Sequence, residues 1–360
     1  MTGPRAGTPA FGVDVGGTKI LGVVIGPGGE VLAERRAPTP QQAASTAAHG
    51  RAHGAGSAHA GEHPGEAVAD AIAELLEQLH RDVLHAGGDP GGLPAPAVGI
   101  GIAGLVDTLG VLRFSPNLAA ASGADMGALV GSRLGGGALA GARVRSHNDA
   151  TCAALAELHY GAARGMREGL VITLGTGIGG AQISEGRVRL GAHGFGGEFG
   201  HMVVDPNGPH CPCGNRGCWE RFASGGGLAR LAREAALAGT LHEAVRLAGG
   251  EPELVTGEHV TAAAAAGDTG ARRVMEELGW WVGLGLANLV AAFDPEWIVL
   301  GGGLGHAGEM LLEPSRRALG ALVEGGSARD VVPVLEAGLG EQAGAVGAAL
   351  AARTRALDLP

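Results

Sequence analysis

Residues 211–220 read CPCGNRGCWE and hold three of the chain's four cysteines. Cys211, Cys213 and Cys218, with His201 ten residues before the first of them, form a Cys₃His set. Three thiolates and one imidazole close a tetrahedral zinc shell, the structural type that keeps no open position. Two alternatives stand beside it. One is a disulfide, which a reducing compartment disfavours and which a CxC pair could close only as a strained ring. The other is His210 in place of His201, although a ligand adjacent to Cys211 makes poor chelate geometry. Cys152 stands apart and reads as a buried small apolar residue. A structural zinc contributes roughly 10–16 kcal/mol, so a loop of Gly, Pro and polar residues can be rigid around it. Glu198 lies three residues before His201, and Glu220 two after Cys218. A metal between them fixes the separation of two carboxylates, which are good acceptors for neighbouring hydroxyls such as those of a sugar ring.

Three glycine-rich loops each follow a strand-like run. DVGGTK supplies Asp14, Gly16, Gly17, Thr18 and Lys19; LGTGIGG supplies Gly175, Thr176 and Gly177; LGGGLG supplies Gly301, Gly302 and Gly303. Glycine lets backbone N–H groups approach an anion closely. In this order the loops can hold a nucleotide: Asp14 orients a hydrated Mg²⁺ near the terminal phosphates, Thr176 holds phosphate from the other side, and the third loop meets the nucleoside. Each loop alone is also an ordinary tight turn in a chain with 69 glycines. Gly99, Gly101 and Gly104 satisfy GxGxxG, but a polar stretch follows instead of a helix, so a dinucleotide-binding reading is disfavoured. A Walker lysine-serine pattern is absent.

The elements that must carry these groups alternate between strand and helix. Phe11, Val13 and Val15 mark a first strand, Ile20–Ile25 a second, and GPGG (26–29) a turn into a third. Val68, Ile72, Leu75, Leu76, Leu79 and Val83 recur at helical spacing. AVGIGI, LVITL (170–174) and EWIVL (296–300) read as strands. Helices are expected over 275–293, from about 342 to 356, and in the apolar run after Asp149. This is α/β architecture. Residues 41–65 are nearly free of large apolar side chains and are expected to form a flexible insertion, its four histidines solvated. The formal charge of −10 with no basic run argues against a nucleic-acid surface. The chain has no apolar run of about 18 residues and no signal-like leader, so no membrane partner and a cytoplasmic location are expected.

DVGGTK, SPN (115–117), HNDA (147–150), LGTGIGG, GEFGH (197–201) and CPCGNRGCWE, in this order, resemble the bacterial glucokinases of the ROK family (repressors, open reading frames and kinases). The resemblance runs from about residue 11 to the end. It implies the actin-like, hexokinase-type (RNase H-like) fold, two α/β lobes closing over a cleft: residues 1–118 with 344–360 as the small lobe, 119–343 as the large lobe with the zinc loop. It implies ATP with Mg²⁺ at Asp14–Lys19 and Gly175–Gly180, with Gly301–Gly303 near the adenosine. Sugar contacts fall on Asn117, Asn148, Asp149, Glu198, His201 and Glu220, with His201 serving both zinc and sugar and Asp149 as catalytic base. An assembly of two or four copies is expected. The chain departs from the family at His147, where an acidic residue is frequent, and at LAAASGADM after Asn117, where an aromatic-containing segment is usual. Repressors of the family place a helix-turn-helix before the first strand, where about ten residues stand here.

The expected activity is therefore ATP-dependent phosphorylation of glucose at its 6-hydroxyl. Alternatives are a kinase for fructose, mannose or an N-acetylated aminosugar, or a sugar-sensing regulator with little turnover. Asp149 separates the last, since a sensor needs no carboxylate at the transferring hydroxyl; its bland alternative is a helix cap. An NAD-dependent oxidoreductase built on the glycine loops lacks an acidic ribose ligand.

Overall fold

The structure is a computed structural model that describes residues 9–40, 65–87 and 96–353. The expected insertion at 41–65 lies outside the described residues except for Gly65, whose φ of 86° starts the first helix. The chain divides into two compact units, one of Met1–Cys152 with Gly344–Pro360 and one of Ala153–Ala343. The first unit thus takes in the C-terminal helix, and its other boundary falls at 152 where residue 118 was expected. The reason is strand pairing, which keeps residues 143–148 in the first sheet.

In the first unit, β1 (Ala10–Val15), β2 (Lys19–Ile25) and β3 (Val31–Pro38) form an antiparallel meander. Helix α1 (Glu66–His85) follows, its buried face set by Val68, Ile72, Leu75, Leu76, Leu79 and Val83, the helical period seen in the sequence. Strand β4 (Ala97–Ile102) then pairs parallel to β1. The small hairpin β5 (Leu105–Val106) and β6 (Leu112–Phe114) leads to α2 (Met126–Leu134), capped where Asp125 accepts the Ala128 N–H at 2.9 Å. Strand β7 (Arg143–Asn148) pairs parallel to β4, giving the order β3-β2-β1-β4-β7. Helix α3 (Asp149–Tyr160) carries the chain into the second unit. The C-terminal helix (Ala343–Arg353) presses on the first sheet at two glycines. A Cβ on Gly12 would stand 1.9 Å from the Ala345 carbonyl, and one on Gly99 1.8 Å from that of Ala348, so neither position tolerates a side chain.

The second unit has the same plan. Strands β8 (Gly169–Leu174), β9 (Ile178–Ser184) and β10 (Arg187–Arg189) form the antiparallel meander. The zinc-type loop and helices α4 (Glu220–Ala223), α5 (Gly225–Leu237), α6 (His242–Leu247), α7 (Gly257–Ala265) and α8 (Thr269–Phe293) follow. Strand β11 (Trp297–Gly301) pairs parallel to β8, and beyond α9 (Glu309–Leu322) β12 (Val334–Glu336) pairs parallel to β11. The order β10-β9-β8-β11-β12 repeats that of the first sheet. The DVGGTK turn joins β1 to β2 and the LGTGIGG turn joins β8 to β9, so the two glycine turns occupy the same place in their respective sheets. The second core centres on the fully buried Trp219, whose Nε1–H donates to the Trp281 carbonyl at 2.7 Å.

Candidate active site

In the first unit the candidate groups collect at the C-terminal ends of the parallel strands β1, β4 and β7, where α/β sheets commonly bind ligands. Asp14 is in register with Gly101, and Gly101 with His147, one residue before Asn148. The turn after Asp14 is closed by the Gly16 N–H donating to Lys19 O at 3.0 Å and held from outside by Thr39, whose Oγ1–H donates to Gly16 O at 2.7 Å. Asn117 lies against this turn: a Cβ on Gly17 would be 3.0 Å from the Asn117 Cβ. The Leu118 N–H donates to Ser115 Oγ, so SPN is a side-chain-closed turn that presents Asn117, and the LAAASGADM segment begins as a short 3₁₀ turn.

Asn148, not Asp149, caps α3. Its Oδ1 accepts the Thr151 N–H three residues on, at 2.9 Å, and its Nδ2–H donates to the Gly104 carbonyl at 3.1 Å. The Asp149 carboxylate is therefore not spent on capping and accepts the adjacent Ala150 N–H at 2.8 Å. Asp14 and Asp149 are both half-buried, and their charges act on one another. Burial and then the charge of Asp149 push the Asp14 carboxyl up to about 7, Lys19 offsetting part of it. Burial raises Asp149 too, opposed by the Ala150 N–H, its own N–H and the Asn148 side chain. With these donors Asp149 is the readier of the two to ionise, and the Asp14 carboxyl keeps part of its protonation near neutrality. Half-buried carboxylates are donors suited to a hard cation such as Mg²⁺.

In the second unit the LGTGIGG and LGGGLG loops meet at the ends of the adjacent strands β8 and β11. The first is closed by the Gly175 N–H donating to Gly177 O at 3.0 Å. Gly302, at φ 85°, lets the second pass the first: a Cβ there would be 2.6 Å from the Leu174 carbonyl. Gly303 starts a 3₁₀ turn, Gly303–Ala307.

The cysteine loop folds back on the turn Phe199–His201. Ligand atoms of His201, Cys211, Cys213 and Cys218 all lie within 4.8 Å of one another, the metal-type cluster found among the described residues. Cys213 Sγ and Cys218 Sγ are 3.6 Å apart, and Cys211 Sγ is 3.7 Å from His201 Nδ1. A zinc tetrahedron with bonds of about 2.3 Å to sulfur and 2.0–2.1 Å to nitrogen has edges of roughly 3.8 and 3.5 Å, so the set fits the ion. All four cysteines are free, which removes the disulfide alternative. His210 is engaged elsewhere, its Nε2 accepting from Arg216 Nη1 at 2.9 Å. Burial pushes the Cys218 thiol up to about 11 and raises Cys211 as well, so metal entry must displace protons. The carboxylates flank the histidine: Glu198 Oε2 is 3.8 Å from its Nε2 and Glu220 Oε1 3.8 Å from its Nδ1.

Sequence reasoning overlooked Thr39 and the Ser224–Gly226 corner. The latter ties α5 to the β8–β9 turn through the Gly225 N–H to Gly175 O (2.8 Å) and the Gly226 N–H to Thr176 O (3.3 Å). Its signal was legible, a serine before three glycines and an apolar periodic run, the mark of a helix start.

Two sheets of one plan, each with a glycine turn in its hairpin and the acidic groups at strand ends, define the class: an actin-like, hexokinase-type sugar-kinase fold. A sequence model described as the ROK family matches residues 55–355, and the chain belongs to that family. It is 36% identical over 352 residues to a glucokinase of Streptomyces coelicolor, covering 95% of this chain and 97% of that one. A glucokinase of Thermotoga maritima is 37% identical over 226 residues, 62% of this chain and 69% of that one. Among solved structures, a ROK glucokinase from Streptomyces griseus in complex with glucose and AMPPNP superposes with TM-score 0.80 at 35% identity, covering 96% and 99% of the two chains. A ROK hexokinase from Thermus thermophilus gives 0.69 at 34% identity, covering 98% and 100%.

Proposed function

We propose that this chain transfers the γ-phosphoryl group of ATP to the 6-hydroxyl of glucose, with Asp149 as the base. The observation that carries the reading is the Asp149 carboxylate: half-buried at the start of α3, relieved of capping by Asn148, and raised by burial toward the range of a base, with the Ala150 N–H among the donors that oppose the rise. A sugar hydroxyl is a weak nucleophile, and a carboxylate in hydrogen-bond reach orients it and takes its proton late in a loose transition state. Asn117, Asn148, Glu198, His201 and Glu220 are the sugar contacts, the two glutamates, spaced by the metal loop, accepting hydroxyl protons. Gly16–Lys19 and Gly175–Gly177 present backbone donors to phosphate oxygens, and Gly301–Gly303 receive the adenosine. Asp14 would hold Mg²⁺, which when bound neutralises the terminal phosphates. Zinc at His201, Cys211, Cys213 and Cys218 has a closed donor set and fixes the loop. Glucokinases of matching length and the glucose- and AMPPNP-bound relative support this substrate pair.

An N-acetylmannosamine kinase of Citrobacter koseri is 38% identical over 160 residues, which keeps other hexoses in view. The protein acts in the cytoplasm as a dimer or tetramer and binds no nucleic acid, in keeping with its acidic charge; no described helix is long and apolar enough to cross a membrane. A coupled ADP-release assay over glucose, fructose, mannose and N-acetylated aminosugars, with ATP and polyphosphate as donors, tests the reading. Turnover highest with glucose and ATP is the expected result; no ADP with any sugar overturns it in favour of a sensor.

A further inference from the structure

We infer that the metal cluster positions the nucleotide loop as well as the sugar-binding carboxylates, with Glu220 as the positioning residue, so that zinc and nucleotide bind with positive linkage. The inference rests on the reading that Gly175–Gly177 takes phosphate.

The geometry is local to the second unit. Glu220 turns one carboxylate oxygen to the cluster and the other to the loop. Oε1 is 3.0 Å from Cys211 Sγ and 3.8 Å from His201 Nδ1, whereas Oε2 lies where a Cβ on Gly177 would meet it at 2.6 Å. The side chain is mostly buried, at 16% exposure. A second route runs along the chain. Cys218 is bridged to Val203, Trp219 is fully buried with its N–H on Met202 O at 2.7 Å, and Glu220 opens α4. The Glu220 carbonyl accepts the Ser224 Oγ–H at 2.6 Å, and Ser224 caps α5 by accepting the Gly227 N–H. The next two N–H groups, of Gly225 and Gly226, hold the carbonyls of Gly175 and Thr176. The approach is backbone to backbone: a Cβ on Gly225 would stand 2.9 Å from Gly175 O. The backbone that aims the Thr176–Gly177 donors is thus anchored to a segment whose other end supplies a zinc ligand. Met202, Val204 and Trp219 fix the two ends of this loop on the core, and between them residues 205–217 are Gly, Pro and polar apart from the cysteines, so the metal sets how Cys211 and Glu220 stand to one another.

Linkage is reciprocal: nucleotide must tighten zinc by the factor by which zinc tightens nucleotide. The test uses the zinc-loaded enzyme without sugar, titrated with a chromophoric chelator with and without saturating Mg·ADP, against a blank of chelator, zinc and Mg·ADP. ADP is expected to raise the zinc affinity at least about five-fold, the lower end of usual couplings. In Glu220→Ala the factor should fall toward one, and in Gly225→Ala calorimetric ADP affinity should drop with one zinc still bound and glucose affinity unchanged. A shift below two-fold in the native enzyme, or an undiminished factor in Glu220→Ala, overturns the inference. Thr176→Val separates the two readings. If it weakens ADP while ADP leaves zinc affinity unmoved, the phosphate loop stands and the coupling falls. If it leaves ADP affinity unchanged, the phosphate reading falls and the coupling with it.

Discussion

Replacing Asp14 by asparagine should make the first unit less sensitive to alkali, and the size of the effect follows from its raised carboxyl. The Asp14 carboxyl stands at about 7 against 3.8 for the ordinary group, raised first by burial and next by Asp149. Between those two values the native protein holds a proton that the unfolded chain has released. Native stability therefore falls as pH climbs from about 4 to 7 and levels off above. Three units at about 1.36 kcal/mol each amount to roughly 4 kcal/mol. Asparagine keeps the shape and carries no titration, so it escapes the loss. All four tryptophans, at 219, 280, 281 and 297, lie in the second unit, and their fluorescence would follow the wrong half. Amide exchange of β1 and β4 peptides, corrected for intrinsic rate and measured without Mg²⁺ or nucleotide, reads the first unit directly. Protection in the native protein, relative to Asp14→Asn, should drop by up to about 10²-fold between pH 5 and 8, and even half the free energy leaves about 10-fold. A ratio constant within about three-fold would show that Asp14 titrates normally.

Asp149→Asn should fold normally, because Asn148 holds the cap, yet lose at least about 100-fold in turnover; near-native turnover would move the base elsewhere, with Glu198 first in line. Elemental analysis of protein purified without added zinc should find one zinc per chain, and Cys213→Ser should lower both stability and glucose affinity. Four titratable thiols in a metal-free, fully active enzyme would sink the zinc assignment. Glu157→Gln should cost about 2–4 kcal/mol in urea unfolding of the second unit, because the buried carboxylate accepts N–H groups from Ala162, Gly338 and Leu339 at 2.8, 3.0 and 2.9 Å; a change under about 0.5 kcal/mol would contradict it. A short Gly/Ser linker in place of residues 41–65 should leave turnover within a few-fold, and a collapse of activity would show that this segment packs on the enzyme.

Elements with strong periodicity could be read from the sequence. The face of α1 and the strands β4, β8 and β11 carry β-branched and leucine residues at diagnostic spacing. Helix α8 begins at Thr269, six residues before the expected start, because its first turn is polar and announced by the cap Asp268, which accepts the Ala271 N–H at 2.7 Å. Helices α5 and α7 are rich in alanine and glycine, so their apolar faces are too small to stand out. The repeated sheet plan was hidden for another reason: topology repeats through pairing order, not through residue identity. At the site, the cluster ligands were legible because cysteine is scarce here. The division of labour between Asn148 and Asp149 was not, since adjacent residues at a helix start compete for the same donors and only coordinates decide which accepts.

The first unit is closed by a helix that the ribosome makes after the whole second unit. Residues 153–343 are one continuous stretch and can fold as they emerge, whereas β1 and β4 wait for the segment that fills the space over Gly12 and Gly99. Until then the newly made strands expose an apolar sheet face, the period when a nascent chain most needs a chaperone. A stop codon just before residue 343 would spare every candidate catalytic and metal-binding residue and still leave half of the enzyme unable to fold.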